Sequence, residues 1–376
     1  MALRMSSDCG SSWSTGVLDL ASFGLNTPQT IESPTPTLLR EVDRPEMYVD
    51  PFADRLFVST TATAGGPPLP FVHVTWEGTP KSTSNPATIQ WSVLRHDPWD
   101  GFPRAMTTVL DDRALTSVSP PAFGSRVHFA SIRCISSPGI QSVPPGTPML
   151  DVQTPFGRKE FNLIAGDSDP SAKCDTVPGG TNGMKFAGVH AGPSVVAIAS
   201  TPPRFLVAYS GKTTDNFEVT NLFSVTLLSS NGYNRADITK LARLVNSLPT
   251  ITGHVVFPHL ITADNLAGSD LRVDAPAVLR VTTLSGDTVL ESAMVIYGGL
   301  LGPVRALGTW SLSTAFPGVA CPGPNGECFI GDYRYGSLIE KDGNTLKFFL
   351  PWIGGNPTGG APGVSVHASM LSVSPH

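Results

Sequence analysis

The chain predicts an all-β protein made of short antiparallel strands, and three observations carry that prediction. Gly (37) and Pro (35) together make about 19% of the 376 residues, against an ordinary share of roughly 12%. Punctuation that dense leaves little room for long helices. Apolar runs of four to eight residues, bounded by Gly, Pro, Asn or Asp, recur along the chain, as they do in buried strands. Those runs also follow one order: a Pro, a short apolar run, a turn, and a second apolar run that returns.

The first element is a turn. Ser6, Asp8, Gly10 and Trp13 stand at the spacing Ser-x-Asp-x-Gly-x-x-Trp, followed by Ser14. Asp8 can accept backbone N–H groups two or more residues on, Gly10 can take positive φ, and Trp13 can bury a large ring between neighbouring sheets. The spacing therefore predicts an anchored hairpin turn.

The repeats follow in chain order. Pro45 leads into Met47, Tyr48 and Val49, residues 50–54 turn the chain, and Leu56, Phe57 and Val58 return it. Ser92, Asp97, Gly101 and Phe102 make a stretched, degenerate version of the first turn. Pro120-Pro121 with the run Val127 to Ile132 is a weaker copy. Pro193 opens Ser-Val-Val-Ala-Ile-Ala, Pro202-Pro203 turns, and Phe205 to Tyr209 follows. Pro276 opens a run through Val281, Ser285-Gly286-Asp287 turns, and Val289 to Tyr297 follows. Last, Gly331-Asp332-Tyr333 precedes Ser337, Leu338 and Ile339, Asp342-Gly343-Asn344 turns, and Leu346 to Leu350 returns. Pro at the start of a strand removes no needed ladder bond, which suits this grammar. One stretch breaks it. Across 235–248, Ile238, Leu241, Leu244, Val245 and Leu248 share a helical face, and Asn234 is a candidate N-cap, so one short surface helix is predicted there.

The first turn resembles an Asp-box, the repeat of sialidase-like β-propellers, where it is structural. That resemblance implies a β-propeller, and five repeats plus the partial unit at Trp13 imply about six blades in a single domain over 1–376. Spacings of roughly 60 to 80 residues between repeats imply decorated outer loops. Because an Asp-box lies between two strands, the chain is expected to begin in mid-sheet, its first blade incomplete or closed by the C-terminal strands. A sandwich or a two-domain all-β chain is the rival architecture.

Composition narrows the function classes. A formal charge of −5, with no Lys/Arg run, gives no electrostatic footprint for nucleic acid. No apolar stretch reaches the roughly 20 residues a spanning helix needs, so no membrane insertion is expected. Residues 1–20 do not read as a secretory leader, since Arg4 precedes polar residues. Five cysteines allow two pairs, Cys321 with Cys328 across a short Gly/Pro loop and Cys134 with Cys174, leaving Cys9 over; free buried thiols are the alternative reading. Such pairs would place the protein in an extracellular or periplasmic space. No Cys spacing matches a zinc pattern, and His254 and His259 lie five apart in a strand, on opposite faces, so no metal or cofactor is expected.

In a propeller, residues just before the innermost strands converge at one mouth. If the Pro-led strands are innermost, that mouth gathers Asp43, Arg44, Glu46, His190, Asp274, Asp332, Tyr333, Arg334 and Tyr335. Arg forks grip carboxylates and aromatic rings stack on sugars, so a glycan or another extracellular polymer is the expected partner. The alternative reading of each is structural pairing or loop capping. A sialidase, by the resemblance, needs three arginines, a Tyr nucleophile activated by Glu, and an acid. The family's Phe- or Tyr-Arg-Ile-Pro motif is absent, with Asp43-Arg44-Pro45 nearest to it. An enzyme would use Arg44, Arg280 and Arg334 on a carboxylate, Tyr333 or Tyr335 as nucleophile, and Glu46 or Asp43 in support. Three functions therefore stand: a binding propeller without a catalytic set, a sialidase-type glycoside hydrolase, and a structural or assembly module.

Overall fold

The computed structural model describes residues 2–6, 11–17, 39–50, 55–64, 71–79, 89–98, 105–110, 127–134, 143–154, 156–174, 193–198, 202–214, 218–228, 232–244, 253–262, 277–285, 288–297, 305–311, 316–317, 337–342, 345–355 and 364–374. They form two compact units, Met1–Met106 and Thr107–His376. The architecture is all-β, in several small antiparallel sheets, with no α-helix among the described residues.

In the first unit, β1 (Ala2–Met5) pairs antiparallel with β2 (Ser14–Val17), with Met5 opposite Ser14. The connection between them, 6–13, holds the Ser-x-Asp-x-Gly-x-x-Trp spacing, so that spacing falls on a hairpin. Trp13 departs from expectation. It is 59% exposed rather than buried between sheets, because it ends the connection and a two-stranded hairpin has no second layer of its own. Asp8 and Gly10 lie outside the described residues.

A four-stranded up-and-down sheet follows, made of β3 (Leu39–Asp50), β4 (Arg55–Ala64), β5 (Phe71–Thr79) and β6 (Gln90–Pro98). Pro45 does not open a strand, as the repeated grammar suggested, but lies inside β3. It sits where the register with β4 slips between Asp43 opposite Thr61 and Glu46 opposite Ser59, and an irregular ladder tolerates a residue that has no N–H to donate. Leu56, Phe57 and Val58 are all buried, so β4 is covered on both faces. Gly78 is required where the Trp91 ring lies flat on β5: a Cβ there would come within 2.7 Å of the ring.

The second unit carries most of β7 (Ala105–Leu110), then β8 (Val127–Cys134), β9 (Pro148–Thr154) and β10 (Gly157–Asn162), one sheet in the order β10-β9-β8-β7. A strap, 163–174, leaves β10. It contains a 3-10 turn, Pro170–Ala172, whose preceding Asp169 carboxylate accepts the Ser171 N–H at 2.9 Å. The next sheet runs β11 (Ser194–Ile198), β12 (Arg204–Lys212), β13 (Glu218–Leu228), β14 (Arg235–Leu244) in order. After it come β15 (His254–Thr262), β16 (Ala277–Ser285), β17 (Thr288–Tyr297) and β18 (Arg305–Ser311), with the short β19 (Phe316–Pro317) also paired on β17. Finally β20 (Ser337–Asp342), β21 (Thr345–Gly355) and β22 (Val364–Val373) make a three-stranded sheet.

The helix predicted across 235–248 is instead the strand β14, through Leu244. Its burial alternates at first, with Arg235, Asp237 and Thr239 exposed and Ala236, Ile238 and Lys240 half-buried. The alternation then breaks. Leu222 pairs with Ala242 but Phe223 with Lys240, so Leu241 is an extra residue in a bulge. The bulge turns both Leu241 and Ala242 onto the core. Apolar residues at 238, 241 and 244 thus reproduce a helical spacing by way of a broken strand period.

Neighbouring sheets of this unit pack face to face. Leu206, Ala208, Leu222 and Leu244 of one sheet meet Val255, Leu260, Leu279, Val281, Met294 and Ile296 of the next. From the opposite face of that next sheet, Ile261, Val278, Ala293 and Val295 meet Leu346, Phe348, Leu350 and Val373. Odd positions of β16 therefore point to one neighbour and even positions to the other. Each such Leu or Val contributes about 1.5–3 kcal/mol by leaving water. The strap is fitted onto β12 at Gly211, where a Cβ would lie 2.2 Å from the Ser171 carbonyl oxygen and 2.7 Å from that of Lys173. Gly211→Ala should lower stability by about 1–3 kcal/mol, read as a lower urea midpoint at unchanged slope.

Candidate functional site

Strands covered on both faces force their polar side chains to find partners inside the protein. Arg280, on β16, is fully buried, and its Nε donates to Glu291 Oε2 at 3.0 Å across the β16–β17 pair. Thr282 Oγ1 donates to the other oxygen, Glu291 Oε1, at 2.9 Å. Thr282 and Glu291 are directly opposite in register, and Arg280 shares their face two residues back. His259 of β15 is opposite Arg280 in register. It follows a bulge at 256–259 in which Phe257 takes φ 54°, an uncommon conformation for a bulky residue.

A second polar cluster lies where the strap meets β14. Asp169 pairs with Arg243, and Lys240 Nζ lies 3.7 Å from Asp167 and 3.9 Å from Asp169. Lys240 also sits over the Phe223 ring, 6.0 Å from its centre. Phe223 in turn stacks on Tyr209 at 5.8 Å. The Tyr209 hydroxyl donates to the Ala172 carbonyl at 2.6 Å. Burial first, and then the Asp167 carboxylate, push that phenol well above its ordinary value. Asn221 Nδ2 donates to the Ser171 carbonyl at 2.8 Å, so two buried side chains hold the 3-10 turn by its carbonyls.

A third site joins two sheets at the start of β13. The Glu218 backbone N–H donates to His254 Nδ1 at 3.1 Å, and both residues are buried. An imidazole that accepts at Nδ1 carries its proton at Nε2. Thr220 Oγ1 reinforces the joint by donating to the Val255 carbonyl at 3.0 Å.

The residues predicted from sequence are distributed as follows. Asp43, Arg44 and Glu46 lie within β3, at the ladder irregularity, rather than ahead of a strand. His190, Asp274, Asp332, Tyr333, Arg334, Tyr335, Cys321 and Cys328 lie outside the described residues. Arg280 is described, and its guanidinium already grips a carboxylate of its own chain. The strand led by Pro276 is also not the first of its sheet. β15 precedes it, so Arg280 stands on an interior strand, which accounts for its burial. Cys134 ends β8 opposite Pro148, and Cys174 is buried in a bridge to Gly211. His254 accepts the Glu218 N–H, and His259 stands opposite Arg280 in register. Among the described residues, no three His, Cys, Asp or Glu side chains group so as to hold a metal, and no helix is long and apolar enough to cross a membrane.

Sequence reasoning passed over Glu291, Glu218 and the Asp167–Asp169 pair. Only the last had a local signal, since Asp-x-Asp-Pro-Ser combines an Asx turn with a Pro suited to the first position of a helical turn. The two glutamates are single acids in apolar runs, and nothing local names their partners. No protein-family model matches the chain, and no curated protein matches it.

Two outcomes test these arrangements. Glu291→Gln strands a buried guanidinium and should cost about 3–5 kcal/mol by chemical denaturation, whereas replacing Arg280 and Glu291 together by Met should cost much less. The raised Tyr209 phenol means that the folded state holds its proton more tightly than the unfolded chain. Its contribution is complete below the unfolded value near pH 10 and is lost as pH rises from there through the folded-state value. Tyr209→Phe should flatten that alkaline limb in denaturation midpoints measured from pH 8 to 11.

Proposed function

We propose that the protein is a secreted, sialidase-like β-propeller of about six blades that binds a glycan or another extracellular polymer, without a catalytic set of its own. The observation that carries this reading is the order of contacts in the second unit. Sheets that follow one another in the chain pack on one another: β8 touches β11, β15 lies across β11, β12 and β13, and β15 also touches β20. Last strands meet likewise, β14 touching β18. Successive antiparallel sheets of three to five strands stacked in chain order are what blades around an axis require. The hairpin at 6–13, carrying the Asp-box spacing, supports the same reading.

In this arrangement, loops ahead of first strands supply the ligand contacts. His190 precedes β11, and Asp332, Tyr333, Arg334 and Tyr335 precede β20, so these are the residues assigned to the partner. Their mixture of acid, arginine and aromatic suits a polar ring with an apolar face. The engagement of Arg280 by Glu291 weighs against a three-arginine hydrolase site, and the assembly reading has no particular observation in its favour.

Purified protein should retain one or more glycans on an array, and Arg334→Ala or Tyr335→Ala should weaken that binding at least about tenfold with folding unchanged. Turnover of a fluorogenic sialoside would replace this reading with the enzyme. Absence of both binding and turnover would withdraw it.

A further inference from the structure

We infer that Cys134 and Cys174 are joined by a disulfide that ties the end of the strap 163–174 to β8, beside the place where it crosses β12. The backbone brings the two residues to one place. Cys134 is the last residue of β8 in register with β9, opposite Pro148. Two residues ahead of Pro148, the Gly146 carbonyl accepts the Cys174 N–H at 2.7 Å. Gly146 takes φ +82°, and a Cβ on it would stand 3.3 Å from the Cys174 carbonyl oxygen, so the strap's end lies directly on this turn. Cysteines forty positions apart in sequence are thus both set against the stretch 146–148. Cys174 is buried, which removes it from the surface chemistry of an exposed thiol.

The strap needs such a latch. Its ties to the sheet are directional and polar: Tyr209 to the Ala172 carbonyl, Asn221 to the Ser171 carbonyl, the Cys174 bridge to Gly211, and the Arg243 and Lys240 pairs with Asp169 and Asp167. Only Leu163, Ile164, Ala172 and Cys174 bury apolar surface along its length. A covalent bond at its far end would confine the polar ties to one geometry. The bond forms by exchange with a small-molecule disulfide such as oxidised glutathione: both thiols are oxidised, an S–S bond is made, and the reagent leaves as two thiols. This inference is independent of the glycan reading.

The test equilibrates the full chain in a glutathione redox buffer, alkylates remaining thiols, and maps peptides without reduction. A linked pair carrying Cys134 and Cys174 is expected. Both recovered alkylated, or Cys174 joined instead to Cys9, Cys321 or Cys328, would overturn the inference. Hydrogen exchange then tests the latch, on the reduced protein and on Cys134→Ser/Cys174→Ser. Amides of 163–174 should exchange roughly 10- to 100-fold faster in both, with β15 to β17 unchanged. Unchanged exchange in the strap, or acceleration throughout the second unit, would reject a local latch.

Discussion

Burial on both faces is the constraint from which the second unit's structure follows. Strands β12, β13, β16 and β17 have a packed sheet or the strap on each side, so none of them offers a face to water. Every polar group they carry must be satisfied within the protein or stay costly. Arg280 therefore meets Glu291 and Thr282, and Asn221 meets the strap. The bonds that cross between sheets also fix how one sheet sits on the next. Glu218 N–H to His254, Thr220 to the Val255 carbonyl, and the Leu260 N–H to Ser194 Oγ at 2.9 Å all run from the β11–β14 sheet to β15. Apolar contacts alone would let two flat faces slide. Directional bonds in a low-dielectric seam do not.

The same constraint separates candidate ligand residues from structural ones. A side chain on a doubly covered strand has no route to a solute, whatever its chemistry, and Arg280 is the case in point. The residues proposed for a ligand, His190 and 332–335, lie outside these doubly covered strands in sequence. Chemistry at the strap is likewise internal: Lys240 and Arg243 occupy the place that an outside cation would take beside Asp167 and Asp169.

Much of the strand grammar was legible because Pro and Gly act locally. Pro193, Pro202-Pro203 and the turn at 285–287 each delimit a strand at the position where the sequence punctuates. What escaped reading depends on pairing. At Leu241 a single extra residue, visible only against β13, converts a strand's period of two into spacings of three. At Pro45 a ladder irregularity accommodates a residue that ordinarily marks a boundary. The place of β16 in the middle of its sheet depends on β15, whose own run is interrupted by Pro258 and by the bulge at Phe257. Partners of Glu291 and Glu218 are equally non-local.

The border strand β14 displays Arg235 and Asp237 outward, one positive and one negative, two residues apart. An incoming extended peptide that tried to prolong the sheet would have to match both signs in a single register while following the bulge at Leu241. Few foreign segments satisfy those conditions together. The same two charges that leave this rim wet thus act as a filter on what could be added to it.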